Sequence, residues 1–151
     1  MQIYQSAFSE PPWNETWTRE QVIEDLDYAL SQDFPVVLVA QVGENIVGFQ
    51  WGYRLPDGKF PFLERKGEIM YGDDLAVLKE YRREGIATRL KETSFTMARQ
   101  NGMEYSVLRT DVNNPSSMGL NKKLGYTPVV QNGRALYDPE FLTRIYLEKR
   151  L

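Results

Sequence analysis

The chain reads as an α/β domain built on a mixed, mostly antiparallel sheet flanked by helices. Three observations predict this. A capped, helix-periodic segment is followed by three strand-like runs, the third runs through a basic, glycine-containing loop into a second helix, and a short capped helix then leads to terminal strands. At 151 residues the expectation is a single domain over 1–151, because a chain of this size removes roughly 70% of its unfolded surface from water.

The first element follows from Thr18-Arg19-Glu20-Gln21, which fits a capping box, with Val22, Leu26 and Leu30 then recurring at helical spacing through Ser31. Pro35 to Ala40 is a β-branched run short enough for a buried strand, and Gly43-Glu44-Asn45 turns it into the next. There Val47, Phe49, Trp51 and Tyr53 alternate with Gly48, Gln50 and Gly52, which predicts one bulky apolar face belonging to the core. Pro56-Asp57-Gly58 opens a loop to about Gly67, and Glu68 to Val77 reads as the third strand. A helix is predicted from Ile86 to Asn101, closed by Gly102, and a strand from Tyr105 to Thr110. Asn114 caps a short helix with Pro115 at its first position, where the missing proline N–H would be orphaned anyway. Gly125 closes it. Tyr126 to Val130 and Phe141 to Leu147 are expected as terminal strands, with Asn132-Gly133 and Asp138-Pro139 in the loop between them.

Composition excludes much chemistry. Hydrophobic residues at 42% with 13% aromatics are not a disordered composition, and no apolar run approaches the ~20 residues of a membrane span. The first seven residues lack a basic region and an apolar core, so no secretory signal is expected, and a cytoplasmic home is. Zero cysteines rule out disulfides and a catalytic thiol; zero histidines remove the usual general base and the commonest metal ligand, so no metal is expected. The net charge of −3 argues against nucleic acid as a partner. Its distribution says more. Lys79 to Lys91 carries a local net of +3, whereas Glu10 to Asp33 carries −6.

The basic stretch is Asp74-Leu75-Ala76-Val77, then Arg82-Arg83-Glu84-Gly85-Ile86-Ala87-Thr88: strand, basic loop, helix start. A helix N-terminus presents unpaired N–H groups and the positive end of a dipole, which suits phosphate. Gly85 permits close backbone approach, and Arg82 and Arg83 bring guanidinium forks. Nucleotide-loop patterns of the Gly-x-x-x-x-Gly-Lys-Ser/Thr or Gly-x-Gly-x-x-Gly type are missing.

Arg82-x-x-Gly85-x-Ala87 resembles the acyl-CoA pyrophosphate loop of the GNAT family, the Gcn5-related N-acetyltransferases. The downstream segment Asn114 to Tyr126 resembles a second family signature, matching at Asn114, Leu120, Lys123 and Gly125. The resemblance covers about Phe8 to Leu147. It implies acetyl-CoA as cosubstrate and direct transfer to a primary amine of a small molecule or peptide. Leu75, Ala76 and Val77 would meet the pantetheine arm by backbone, and Arg83 to Thr88 the pyrophosphate. Asn121 stands where many members place a tyrosine that protonates the departing thiolate, which an amide cannot do. That departure keeps alive a non-catalytic acyl-CoA-binding module. Family members begin with a strand before the first helix, so either this start is truncated or the sheet lacks that edge strand, leaving an edge that a second copy could cover as a homodimer.

With no histidine, the candidates for deprotonating or orienting the amine are Tyr71, which matches a strand position where some relatives have a glutamate base, and Asp73. Trp13 and Glu15 are candidates for holding a cationic amine at the acceptor groove.

Overall fold

The computed structural model describes residues 17–151. Helix α1 (Arg19–Ser31) begins at the predicted capping box: Gln21 N–H donates to Thr18 Oγ1 at 3.2 Å and Thr18 N–H to Gln21 Oε1 at 2.9 Å. Strands β1 (Val36–Val42), β2 (Asn45–Arg54) and β3 (Ile69–Val77) follow, then a 3₁₀ turn at Lys79–Tyr81 and helix α2 (Ile86–Gln100). The rest is β4 (Tyr105–Asp111), α3 (Pro115–Lys123), β5 (Thr127–Pro128), β6 (Val130–Gln131), β7 (Arg134–Ala135) and β8 (Arg144–Arg150). One sheet runs in the order β1-β2-β3-β4-β8-β5, and β6 pairs with β7 apart from it. Among the described strands only β3 and β4 run parallel, so the mixed, mostly antiparallel sheet is as expected. β1 is its outer strand among the described residues; a strand ahead of α1 would fall outside them.

Each face of the sheet carries its own core. α1 sends Val22 and Ala29 against Phe49, Trp51, Tyr53 and Tyr71 on one face. On the other, Phe95 and Ala98 of α2, with Met118 of α3 beside them, pack on Met70, Leu108, Ile145 and Leu147. Two sequence expectations change here. β2 is buried on both sides from Val47 to Tyr53, because its glycine-rich alternate face lets α2 come close: Gln50 Nε2 donates to Ser94 Oγ at 3.1 Å. The C-terminal strands also shift. Asn132 and Gly133, both at positive φ, close the β6–β7 hairpin, and Asp138 Oδ1 accepts the N–H groups of Glu140 and Phe141. That turn holds Phe141 out of β8, which starts at Arg144 and ends at Arg150.

The feature that positions the site lies in β3. Its pairing with β4 stops at Gly72 opposite Leu108, although β3 continues to Val77 and β4 to Asp111, so the two strands part and open a cleft. On the other edge the register jumps from Trp51 opposite Asp74 to Gly52 opposite Gly72, leaving Asp73 as the extra residue of a β-bulge. Gly52 permits this, since a Cβ there would overlap the Tyr71 carbonyl oxygen. Gly52→Ala is expected to push β2 and β3 apart and to cost about 2 kcal/mol or more in a denaturant melt, in line with overpacking elsewhere.

Candidate active site

The strand, loop and helix start fold into a cradle. Arg82 Nε donates to Val77 O at 2.9 Å and folds the loop back on the end of β3. Arg83 (φ +65°) and Gly85 (φ +81°) are both left-handed, and Gly85 is the N-cap of α2 with no side-chain cap bond. The first N–H groups of a fifteen-residue helix therefore point outward beside the positive end of its dipole. They border a pocket of about 120 Å³ lined by Val77, Arg82, Arg83, Gly85, Ile86, Ala87 and Thr88, to which the fold adds Tyr81. Glu84 is exposed and does not line it.

The cleft between β3 and β4 runs on from this cradle. Leu78 N–H bonds to Val47 O at 2.8 Å, which fixes the alternation of the antiparallel ladder: Ala76 and Asp74 turn their backbone groups to β2, while those of Leu75 and Val77 face the side β4 has left. Ala76, grouped by sequence with Leu75 and Val77, thus has its backbone engaged with β2. Across the cleft, Asn114 caps α3 by accepting the Ser117 N–H at 3.1 Å. Asn121 is buried, donates to Ser117 O at 2.9 Å, and leaves its Oδ1 without a hydrogen-bond partner among the described residues. Gln50 Oε1 and Tyr53 Oη are likewise buried without one. Buried polar atoms are rarely orphaned; of these, Gln50 lies on the α2 face of the sheet, Tyr53 on the α1 face and Asn121 on α3.

On the α1 face the bulge gathers acids. Carboxylate oxygens of Asp25, Asp73 and Asp74 lie within 4.8 Å of one another. Trp51 Nε1 donates to Asp74 Oδ2 at 3.0 Å and to Asp25 Oδ2 at 3.3 Å. Burial and then a hydrogen bond to the Asp25 carboxyl push the Asp74 pKa well above its ordinary value, against the lowering pull of the Trp51 N–H. Asp73 is pushed up to about 7 by burial and then by the charge of Asp25, against the pull of Lys59 and Arg109. Tyr71 is wholly enclosed, with Tyr53 and Phe60 rings at 5.9 and 5.0 Å, and burial drives its phenol pKa far up. It suits a hydrogen-bond donor or a wall; Asp73 suits a base.

The far wall is an ion pair. Arg109 Nη1 meets Asp138 Oδ2 at 2.8 Å, and Tyr146 Oη donates to the same oxygen at 2.9 Å. Burial would raise the Asp138 pKa, but the Phe141 N–H, Arg109 and the Glu140 N–H overcome it and hold it well below the usual range. A depressed carboxylate stabilises the fold above its ordinary pKa of ~3.9 and loses that contribution as pH falls toward its folded value. Asp138→Asn should therefore cost stability at neutral pH, about 3 kcal/mol for a broken buried pair, and flatten the acid limb of a melting-temperature profile.

Trp13 and Glu15 fall outside the described residues. Sequence reasoning passed over Asp25, Trp51, Arg109 and Asp138. One signal was available for Asp25, which sits three residues after Val22 and four before Ala29, on the buried stripe of α1.

A family model described as the acetyltransferase (GNAT) family matches residues 1–126. The chain belongs to the GNAT family. One relative within reach of it is N-alpha-acetyltransferase 30 of Schizosaccharomyces pombe, 40% identical over 52 residues, which is 34% of this chain and 35% of that protein. Another is an N-alpha-acetyltransferase of Saccharolobus solfataricus, 36% identical over 97 residues, 60% of this chain and 56% of the relative. These matches thus span about a third and about half of the relatives' lengths. In fold, this GNAT chain is similar to a subunit in the NatC complex bound to Gag peptide and CoA, with a TM-score of 0.70 at 20% identity over 99% of this chain and 87% of that one. No helix among the described residues is long and apolar enough to cross a membrane.

Proposed function

We propose that this chain transfers the acetyl group of acetyl-CoA directly to a primary amine, the α-amino group of a peptide. The observation that carries the reading is the parting of β3 from β4 between two unlike ends: the uncapped N-terminus of α2 at one, and Asp73 at the other. The residues present fit the donor. Uncapped N–H groups and Arg83 would take the phosphates, the cleft-facing backbone of Leu75 and Val77 would pair with amides, and the orphan Asn121 Oδ1 has an acceptor to offer. When bound, the donor supplies an acyl carbon activated as a thioester. The chain supplies position and charge: Asp73, with a pKa of about 7, takes a proton from the incoming amine nitrogen, and the acids of the α1 face attract a cationic acceptor.

The peptide acceptor draws support from the relatives named N-alpha-acetyltransferase and from the peptide-bound neighbour. The test is thiol release from acetyl-CoA with a panel of short peptides, the same peptides with blocked N-termini, and polyamines. Turnover confined to free N-termini supports the reading; turnover with polyamines alone reassigns the acceptor, and donor binding without turnover of any amine favours the non-catalytic module that Asn121 keeps open.

A further inference from the structure

Lys91 is a cation where the fold reserves room for apolar side chains. The buried face of α2 is Leu90, Lys91, Ser94, Phe95 and Ala98, and Lys91 is only 5% exposed. Its Nζ lies 3.6 Å from where a Cβ on Gly72 would stand and 5.2 Å from the centroid of the Tyr126 ring. Gly72 is the last residue of β3 paired with β4, so the ammonium sits where the strands part, on the α2 side of the cleft. Asp73 is the next residue and faces the α1 side with Asp25. The two ionisable groups thus flank the apex of the cleft from opposite faces.

Buried lysines are almost always paired, and this one has no acidic partner among the described residues. Burial alone acts on it among the described residues, and lowers its pKa to about 8. The groups around it give no countercharge. Gly72 and Leu108 are apolar, the Val107 carbonyl is neutral, the Tyr126 phenol is bound to Ser106 at 2.6 Å with its pKa raised by burial, and Lys149 of β8 lies over the Phe95 ring at 5.4 Å. A charge held in an enclosed, apolar setting with no countercharge among the described residues costs stability, so a function is the simplest reason for its presence.

We propose that Lys91 is the acid that protonates the sulfur released when the acyl group moves, a role resting on the acetyltransferase reading above. In that step the amine nitrogen bonds to the thioester carbonyl carbon, the carbon–sulfur bond breaks with its electron pair going to sulfur, and Lys91 Nζ gives a proton to that sulfur. The acceptor attacks as the free amine, its ammonium having first given one proton to water, and the proton the nitrogen loses as the amide forms goes to Asp73. Lys91 then regains a proton from water and Asp73 releases one to it. A thiol has a pKa of ~8.5, so an ammonium near 8 is well matched for the transfer.

The test follows the thiol of bound CoA, with no acceptor present, by the ultraviolet absorbance of its thiolate as pH is raised. With wild type the bound thiol is expected to titrate about one pH unit or more below its free value, because the ammonium stabilises the thiolate. With Lys91→Met, which keeps the length and packs the core, it should titrate at or above the free value. Lys91→Arg keeps the charge but cannot yield its proton, so the thiol stays low while turnover falls about 100-fold. Equal titration in wild type and Lys91→Met, with both binding CoA, overturns the role of Lys91 alone; wild type that binds no CoA overturns the acetyltransferase reading and this role with it.

Discussion

Gly85→Glu is expected to weaken acetyl-CoA binding by at least about 100-fold while leaving a folded protein. The residue stands at φ +81° as N-cap of α2, and no atom of the described residues lies within 4 Å of the Cβ that a side chain would add. The cost to the fold is then the left-handed backbone alone, about 1–2 kcal/mol for a non-glycine residue. The cost to binding is larger, because the new carboxylate lies where phosphate oxygens must approach the N–H groups, and like charges forced together cost several kcal/mol. A loss of at least about 100-fold, or ~2.7 kcal/mol, is expected by titration calorimetry. Gly85→Ala separates the two effects. It carries the same backbone strain without the charge, so its affinity should stay within about tenfold of wild type while its melting temperature falls as far. Gly85→Glu binding as tightly as wild type would remove the phosphate site from the argument.

Much of this cradle is readable from residue order because its causes are local. A capping box, a proline at a first helical position and a glycine before a helix act within a few residues, and Thr18, Asn114 and Gly85 stand as the N-caps of α1, α3 and α2. The acid side is not local. Asp73 owes its place to a bulge defined by the register of β2 against β3, and its raised pKa first to burial and then to Asp25, forty-eight positions earlier in the chain. No period in the sequence carries that information. Arg109 and Asp138 likewise meet only because β4 and β8 pair, with Tyr137 bridged to Ile145. Lys91 is an intermediate case: standing four residues before Phe95 and seven before Ala98, it breaks the apolar stripe of α2 visibly, yet its depth is known only once the sheet is in place.

Asp73→Asn is expected to lower turnover and raise stability together, and the opposite signs are what make it informative. A general base contributes about 10² to 10⁴ in rate, so kcat should fall by about 100-fold or more. Wild-type kcat/KM should rise with pH through about 7, where the Asp73 carboxyl loses its proton, and the variant should lack that limb. Stability moves the other way. The Asp73 pKa is higher folded than unfolded, so between about 4 and 7 the folded state holds a proton that the unfolded state has released, and wild-type stability declines as pH rises through that window. An asparagine never ionises and escapes the decline. At neutral pH the variant should therefore melt higher than wild type, with the difference vanishing below about pH 4. Damage to the bulge would lower both quantities, and a merely solvated carboxylate would change neither, so only a buried base beside Asp25 predicts a slower and more stable enzyme.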